Sequence, residues 1–460
     1  MKTCCQTLAE VLNSVAFSEL PEGVIEKTKQ LILDSVGCMI GGTQLEQGQM
    51  VLGMFAGMGG TAEATMVTSL YKVPALHAAY ANSYLANMLD YDDTYNGHPG
   101  ATTIPPALAV AEKVGASGQA LIEAVVAGYE AGARVSEAIM RSPKRDQVVS
   151  GVTWQVFNAA AAAGSLLGLE ADAMSHCLSL AAFNAPVPFT HRIGLRKGKG
   201  TWTKNNFGWF SMGGVMAALL AHEGFRGNEE IFDGDTGFWV MSGSDQFDSH
   251  KLTRDLGDGY AVEKVHLKPY TTCRFFHPTL DALREILNGR DVSPEEIARI
   301  DVSTFYKLQE GFTFYPSDLF NAPFSLPYAV ALQVLKIPPG YPYFDKKWLS
   351  DPKLREISEK VHVSGWSEAD EHFRQGMRGG TSKLISRVRL TLKSGRSWEK
   401  EVRTPRGSPQ NPLTKEELED KFLSLVQAVL GESRAKRINH LISDLDGISE
   451  IQELTDLLRQ

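Results

Sequence analysis

The segment QALIEAVVAGYEAGARVSEAIM, residues 119–140, keeps apolar side chains at helical spacing for about six turns of 3.6 residues. Similar helical patterns occupy residues 23–42, which end on two glycines, and residues 104–115, IPPALAVAEKVG, which begin at prolines. The segments 158–169 and 213–225 are rich in Ala and Gly, whose small side chains let helices approach closely. The first half of the chain therefore predicts a tightly packed helical domain.

The pattern changes near residue 260. The segments YAVEKVHLKPY, residues 260–270, and IARIDVSTFY, residues 297–306, are short and β-branched. Ser293 and Glu296 have the spacing of a capping box just before the second of them. Residues 382–405 form two alternating runs around a Lys-Ser-Gly-Arg turn, which predicts a β-hairpin.

The C-terminal part is again helical, because Thr414 and Glu417 form a second capping box ahead of an apolar periodic segment. The fold class that we predict is mainly α, with a large all-helical domain and a smaller α+β lid domain inserted before the C-terminal helices. The predicted bounds are a helical domain over 1–264, a lid over 265–405, and a helical tail over 406–460 that rejoins the first domain.

Composition limits the classes of function. The 460 residues are 43% hydrophobic and 22% charged with a net charge of −8, which gives no support to nucleic-acid binding. No apolar run approaches the roughly 20 residues of a membrane span, and no signal peptide is apparent. Five cysteines without a CxxC pair indicate reduced thiols, so we expect a cytoplasmic protein.

The sequence lacks the glycine-rich nucleotide loops, the HExxH zinc motif and the GxSxG nucleophile elbow. We therefore expect neither a cofactor nor a metal. The remaining chemistry rests on candidate acids and bases, which are Asp90, Asp93, Thr94, His98, Lys204, His277 and Tyr328.

The most unusual of these groups lie in LANMLDYDDTYNGHPG, residues 85–100. Three acids occupy four positions although like charges repel, and a histidine follows them. A solvated helix end would explain the pattern, and so would a catalytic loop in which one carboxylate orients His98 while another faces a substrate. In the second case we expect Asp92 to point toward backbone donors.

Basic residues collect in HRIGLRKGKG, residues 191–200, which fits either a solvated loop or a flap that closes on an anion. Lys204 directly precedes an apolar helix. Burial and the helix dipole would lower the pKa of an amine there and suit it to proton transfer, whereas a surface lysine is the alternative.

The segment LDYDDTYNGHPGATTIPPALAVAE, residues 89–112, resembles the hallmark segment of the MmgE/PrpD family, which includes 2-methylcitrate dehydratases, cis-aconitate decarboxylases and iminodisuccinate epimerases. Further blocks resemble the family in the same order, so the likeness covers almost the whole chain. They are AAAAAGSLLGLEADAM (159–174), TKNNFGWFSMGGVMAALLAHEGFRG (203–227), HLKPYTTCRFFHPTLDAL (266–283), APFSLPYAVA (322–331) and TKEELEDKF (414–422).

The resemblance implies a homodimeric enzyme with its active site in a cleft between the two domains. It implies cofactor-independent removal of a proton α to a carboxylate of a small di- or tricarboxylate. By position, the resemblance makes Asp90, Thr94, His98, Lys204, His277 and Tyr328 the catalytic residues and Lys268 a substrate-binding residue. From the residues themselves we add Asp93 and Arg274, which lies three residues before His277, as substrate-binding residues. If these groups are exposed in a cleft, replacing them should change stability by no more than roughly 1 kcal/mol.

Two departures separate the chain from the family pattern. Decarboxylases of the family have a histidine shortly before the Ala-rich helix, whereas SGVTWQVFNAAAAAG, residues 150–164, has none. Thr271 and Thr272 also replace the usual residues of the KPYTTCRFFH block. We therefore expect dehydration or epimerisation, with a cis-aconitate-type decarboxylase and a non-catalytic carboxylate-binding protein as the alternatives.

Overall fold

A computed structural model describes residues 2–146, 152–186, 200–201, 206–256, 259–379 and 383–460. The chain is mainly helical and has one larger sheet in its second half, as the sequence predicts. Within the described residues, no helix combines the length and the apolar character that crossing a bilayer requires.

The N-terminal part consists of helices and short two-stranded pairings. Its helices are α1 (Cys4–Asn13), α2 (Glu22–Gly42), α3 (Glu46–Met58), α4 (Ala75–Asn87), α5 (Pro99–Val114), α6 (Gly118–Ala138), α7 (Pro143–Asp146), α8 (Gln155–Leu166), α9 (Ala171–Phe183), α10 (Phe207–His222), α11 (Phe238–Met241) and α12 (Ser249–Thr253). Its strands are β1 (Ala64–Thr65), which pairs with β2 (Lys72–Val73), and β3 (Ile139–Met140), which pairs with β4 (Gln246–Phe247).

The Ala-rich helix α8 packs against both α6 and α10, and glycines allow the close approach. A Cβ atom on Gly132 of α6 would lie 1.9 Å from Oδ1 of Asn158, and one on Gly214 of α10 would lie 2.6 Å from the backbone of Ala160. Only glycine fits at these two positions, so the small residues of the sequence determine how tightly the three helices pack.

The second half carries a four-stranded sheet in the order β6-β5-β7-β8. Its strands are β5 (Ile297–Thr304), β6 (Val361–Gly365), β7 (Ser386–Leu392) and β8 (Ser397–Val402). Strands β7 and β8 form the predicted hairpin, and β5 runs parallel to β6. The helices of this part are α13 (His277–Leu287), α14 (Tyr306–Gly311), α15 (Leu326–Val334), α16 (Lys347–Ser350), α17 (Pro352–Glu359) and α18 (Ser367–Gly379).

The C-terminal helices are α19 (Lys415–Leu430), α20 (Glu432–Ser443) and α21 (Gln452–Thr455). The capping box of Thr414 and Glu417 is present at the start of α19, as predicted. Helix α19 packs on α2, where a Cβ atom on Gly41 would lie 2.8 Å from the Leu425 side chain. The tail thus returns to the N-terminal helices, while the boundaries at residues 264 and 405 stay a prediction.

Two local features differ from what the sequence patterns indicate. The β-branched segment 260–270 forms a 3-10 turn, Ala261–Lys264, and one isolated β-bridge. Helix α5 begins at Pro99 and contains Pro105 and Pro106 in its interior, instead of starting at these prolines. The backbone N–H of Gly100 donates to Oδ1 of Asp93 at 2.9 Å, which fixes the earlier start from outside the helix.

Candidate functional site

The acid loop, which we define as residues 88–98 between α4 and α5, turns sharply at its first carboxylate. Asp90 has a positive φ of 48°, a conformation that is uncommon for a residue other than glycine. The turn brings the backbone carbonyl oxygen and a carboxylate oxygen of Asp90 to one cation. Nζ of Lys268 donates to the Asp90 carbonyl oxygen at 2.8 Å and lies 3.4 Å from Oδ1. Lys268 is 1% exposed, so the site contains a buried positive charge.

The second carboxylate holds the histidine. Nδ1 of His98 lies 3.1 Å from Oδ2 of Asp92, and Asn87 donates to Oδ1 of the same carboxylate at 2.8 Å. Burial on its own would raise the pKa of Asp92, but the charge and hydrogen bond of His98 outweigh it and lower that pKa. Nδ2 of Asn87 also lies 2.9 Å from Nδ1, but it already donates to Asp92, and an ionised Asp92 favours the tautomer that carries the proton on Nδ1. The expectation that Asp92 points to backbone donors was wrong.

The other ring nitrogen of His98 faces the first carboxylate. Nε2 lies 3.7 Å from Oδ1 of Asp90, and the His98 side chain keeps 15% exposure. Phe207, the first residue of α10, packs on the imidazole with the ring centroids 5.3 Å apart. Gln155 fixes the His98 backbone, accepting from its N–H at 3.1 Å and donating to its carbonyl at 2.8 Å. His98 is thus oriented on all sides, with Nε2 toward Asp90.

The third carboxylate, Asp93, is buried and satisfied by the protein. The hydroxyl of Tyr129 donates to it at 2.5 Å, and the N–H of Gly100 donates at 2.9 Å. Burial and the neighbouring charge of Asp92 raise the pKa of Asp93 to about 7. These contacts describe a group that supports the loop and the start of α5, and substrate binding by Asp93 stays a prediction.

Thr94 links the acid loop to the second half of the chain. Its backbone N–H donates to the carbonyl of His266 at 2.9 Å, and the N–H of His266 donates back at 3.0 Å. The Thr94 hydroxyl donates to the Gly97 carbonyl at 2.7 Å. The described position of Thr94 is therefore that of a connector, and a role in catalysis is untested.

Arg274 and His277 form a buried cluster with His266. The Arg274 guanidinium donates to Nδ1 of His277 at 3.0 Å, to Nδ1 of His266 at 2.9 Å and to the Arg406 carbonyl at 2.8 Å. Both histidines must be neutral to accept these bonds, and burial together with Arg274 holds the pKa of each well below its usual value. Burial also lowers the pKa of Arg274 to about 10.

This buried cluster has consequences for two predicted roles. His277 has no exposed surface, and its Nε2 lies 3.4 Å from the Thr272 carbonyl. Arg274 is 7% exposed, so the two groups are not displayed on a cleft wall as the sequence suggested. The partners of His277 and of the terminal nitrogens of Arg274 are thus protein groups, and substrate contact by either residue stays a prediction.

Tyr328 lies at the start of α15 with 1% of its surface exposed. Its hydroxyl has no hydrogen-bond partner in the described structure, and burial raises its pKa. Its ring packs edge-on to Tyr315 at a centroid distance of 5.9 Å. Lys204 and the basic residues Arg192, Arg196, Lys197 and Lys199 lie outside the described residues.

Sequence reasoning missed the cation that supports this site from the C-terminal tail. Nζ of Lys421 donates to the carbonyls of Tyr91 at 2.7 Å and Lys268 at 3.0 Å, and it lies 2.5 Å from Oδ1 of Asp34. The sequence contains a signal for this buried cation, because Lys421 lies on the apolar face of α19 next to Phe422. A lysine on such a face is buried only when it is paired.

A cavity of about 580 Å³ opens beside the acid loop. Tyr84, Met88 and Asp90 line it from the N-terminal helices, and Phe320, Phe324 and Phe344 line it from the second half of the chain. Of the predicted site residues that the structure describes, Asp90 is the one among its lining residues. The cavity therefore places Asp90 where a small molecule can reach it, and His98 and Lys268 lie behind its carboxylate at 3.7 and 3.4 Å.

The ligand atoms of Asp90, Asp92 and His98 lie within 4.8 Å of one another, close enough to hold a metal ion. Lys268 already places a positive charge 3.4 Å from Asp90, which disfavours a second cation there. Asp172, His176 and Glu229 form another group of this kind, away from the acid loop. The metal-free site stays a prediction, and loss of turnover after EDTA that a divalent metal restores would contradict it.

Comparison with known proteins gives two matches to family models. The MmgE/PrpD N-terminal domain matches residues 6–250, and the MmgE/PrpD C-terminal domain matches residues 270–447. The chain is 24% identical over 473 residues to a cis-aconitate decarboxylase of Aspergillus terreus, covering 97% of this chain and 94% of the relative.

Mammalian proteins are similar over the same extent. A cis-aconitate decarboxylase of Mus musculus is 24% identical over 493 residues, with 100% of this chain and 94% of the relative covered. One of Homo sapiens is 22% identical over 497 residues, with 100% and 95% covered.

Proposed function

The chain belongs to the MmgE/PrpD family of enzymes, with lyases among its relatives, and from this premise we propose that it acts on a small di- or tricarboxylate without a cofactor. The reaction would begin with removal of the proton α to a carboxylate. A dehydratase would then expel hydroxide from the neighbouring carbon, and an epimerase would return a proton to the opposite face. The observation that carries the proposal is the oriented Asp92–His98 pair beside Asp90 and Lys268.

His98 is the proposed base. With the Nδ1 proton directed at Asp92, 3.1 Å away, Nε2 faces Asp90 and is the nitrogen that would take the proton. Positioned acid–base groups of this kind contribute about 10²–10⁴-fold to a rate. The same imidazole, once protonated, can return a proton in a later step.

Lys268 is the proposed electrostatic stabiliser. Removal of the α-proton places negative charge on the substrate carboxylate, and a cation that is fixed in advance lowers the free energy of that state. Lys268 is buried and held by the Asp90 carbonyl, so little reorganisation is needed when charge develops. Asp90 lies 3.7 Å from Nε2 of His98 and is the proposed second proton carrier.

A decarboxylase is the second candidate, because relatives that match nearly the whole chain are named cis-aconitate decarboxylases. The segment that lacks the family histidine here carries Trp154, which is buried, and Gln155, which binds the His98 backbone. Neither residue is an acid or a base near pH 7. We therefore propose that the protein does not form itaconate from cis-aconitate at a useful rate.

We also propose a homodimer in the cytoplasm. The five cysteines are all free thiols, which fits a reducing compartment. Light scattering after gel filtration tests the dimer, since a monomer at micromolar concentration would contradict it.

The test of the reaction is a proton NMR panel in D₂O with citrate, 2-methylcitrate, cis-aconitate and iminodisuccinate. Dehydration or epimerisation supports the proposal, and itaconate formation supports the second candidate. Shifts that saturate without turnover of any acid would indicate a carboxylate-binding protein and refute both. His98→Gln should abolish turnover, whereas the matched variant His222→Gln, at an exposed position in α10, should leave it unchanged.

A further inference from the structure

A second group of metal-binding side chains lies between α9 and the segment that follows α10. Asp172 and His176 are one turn apart on α9, so their side chains share a face of that helix. Glu229, which follows α10, completes the group, and one ligand atom from each of the three residues lies within 4.8 Å of the others. Imidazole and carboxylate together are ligands that Zn²⁺ and Mn²⁺ accept.

The carboxylate of Glu229 is held in place by neutral donors. Its Oε1 accepts from the Ser175 hydroxyl at 2.6 Å and from the Gln6 amide at 3.0 Å. The bond from Ser175 is the largest of the interactions that lower the pKa of Glu229, so this carboxylate is ionised near pH 7. Both donors contact the same oxygen and leave Oε2 for another partner. Metal sites commonly orient their carboxylate ligands by hydrogen bonds of this kind.

His176 supplies an independent indication of a ligand. Only 8% of its surface is exposed, and Nδ1 of its ring has no hydrogen-bond partner in the described structure. A buried polar atom without a partner costs free energy, and a bound water or ion is a usual explanation for one in a native protein. A neutral imidazole can bind a metal ion through either ring nitrogen.

The charges around the group also favour a cation. Among the described residues, no lysine or arginine forms a salt bridge with Asp172 or Glu229, and the exposed Arg226 acts on Glu229 only from a greater distance. In the acid loop, by contrast, Lys268 lies 3.4 Å from Asp90 and already supplies a positive charge. Of the two groups, the one on α9 therefore has the uncompensated negative charge.

We propose that Asp172, His176 and Glu229 bind one divalent transition-metal ion, Zn²⁺ or Mn²⁺, which ties the segment after α10 to α9. Water would complete the coordination on the side of Asp172, which is exposed and gives the ion a path to the site. The ion is structural and lies away from the acid loop. The inference therefore goes beyond the proposed function and leaves its cofactor-independent reaction unchanged.

The test is a calorimetric titration of the full chain without a histidine tag, freed of metal with EDTA and then desalted. ZnCl₂ or MnCl₂ should bind with a stoichiometry of one ion per chain. Asp172→Asn, at an exposed position, should weaken this binding at least about tenfold, whereas His362→Gln, at an exposed position of β6, should not change it. If neither ion binds saturably, or if Asp172→Asn binds as tightly as wild type, the inference is overturned.

His98→Gln separates this site from the acid loop. The variant lacks the histidine of the other group, so it should bind the ion as wild type does. Loss of binding in His98→Gln with unchanged binding in Asp172→Asn would place the ion in the acid loop and overturn the inference.

Thermal unfolding gives a second readout that does not depend on activity. At a metal concentration of one hundred times Kd, the Tm of wild type should rise by about 3 °C, and the same concentration should raise the Tm of Asp172→Asn less. An equal rise in the two proteins would contradict binding at this site. Turnover measured well below Tm should be the same before and after EDTA treatment. Turnover that EDTA abolishes and metal restores would contradict the metal-free reaction, while the binding data for Asp172→Asn would still decide the inference.

Discussion

Lys268 and Asp90 are 178 positions apart in the sequence, yet Nζ of Lys268 donates to the Asp90 carbonyl at 2.8 Å and lies 3.4 Å from its carboxylate. The contact joins the segment ahead of α13 to the acid loop. It places a buried cation beside a carboxylate that lines the cavity, and it does so next to Nε2 of His98.

Asp92→Asn should lower kcat by roughly 10²–10⁴-fold with a much smaller change in KM, because the amide no longer favours the Nδ1–H tautomer of His98. Steady-state kinetics on the best acid of the NMR panel measures the effect. Asp420→Asn, on the exposed face of α19, is the control and should behave as wild type. A rise in KM with unchanged kcat would mean that Asp92 does not act through His98.

Asp93 should make stability depend on pH. Its folded-state pKa of about 7 lies above the unfolded value of about 3.9. Between roughly pH 4 and 7 the folded protein therefore keeps a proton that the unfolded chain has lost, so this group lowers stability as pH rises, by up to about 4 kcal/mol. Denaturant unfolding should show that the free energy of unfolding falls less between pH 5 and pH 8 in Asp93→Asn than in wild type. An equal loss in both proteins would refute the raised pKa.

The acid loop illustrates what sequence could and could not predict. The crowding of Asp90, Asp92 and Asp93 before His98 indicated that one carboxylate orients the histidine, and this is confirmed. Which one does so was predicted wrongly, because the positive φ of Asp90 reverses the chain and changes which way the next residues point. Lys268, which is distant in the sequence, donates to the carbonyl of this residue, and no local pattern contains that contact.

Contacts that a local pattern does not contain also explain the other differences between the predicted and the observed features. The start of α5 depends on Asp93, which caps the helix from six residues before it, so the prolines gave the wrong boundary. Helices, hairpin and capping boxes were predictable because their signals are local, whereas the burial of Arg274 and the contacts of Lys421 depend on distant segments.

Lys421→Met should destabilise the protein by roughly 3–5 kcal/mol, because it leaves Asp34 buried without its cation. The double variant with Asp34→Leu should regain part of that loss, since neither charge then remains. Lys415→Met, at an exposed position of the same helix, should change stability by less than about 0.5 kcal/mol. Thermal unfolding measures the stability of all three variants. A Lys421→Met protein as stable as wild type would contradict the pairing.

Arg274→Ala should cost more than the roughly 1 kcal/mol expected for a cleft residue, because two imidazoles and a carbonyl lose a buried donor. If Arg274 also grips substrate after closure, KM rises while kcat changes little. Arg284→Ala, at an exposed position of α13, is the control. Lower stability with unchanged kinetics would confine the substrate contacts to other residues.

Gly132→Ala should disrupt the packing of α6 on α8, since its Cβ would lie 1.9 Å from Asn158. Gly53→Ala is the matched change in α3, where a Cβ meets nothing within 4 Å, and it should stabilise the helix by up to about 1 kcal/mol. Chemical denaturation of both variants measures the contrast. Equal stability of the two variants would show that α8 does not need this close approach.

The central claim is that His98 moves the proton α to a substrate carboxylate, and deuterium exchange at that carbon tests it most directly. In D₂O the wild-type protein should exchange the α-proton of the best acid of the panel, or release it during turnover. His98→Gln should slow this step by at least about 10²-fold while the acid still binds. Exchange at the wild-type rate in a folded His98→Gln protein would contradict the account, because the proton would then be moved by another group.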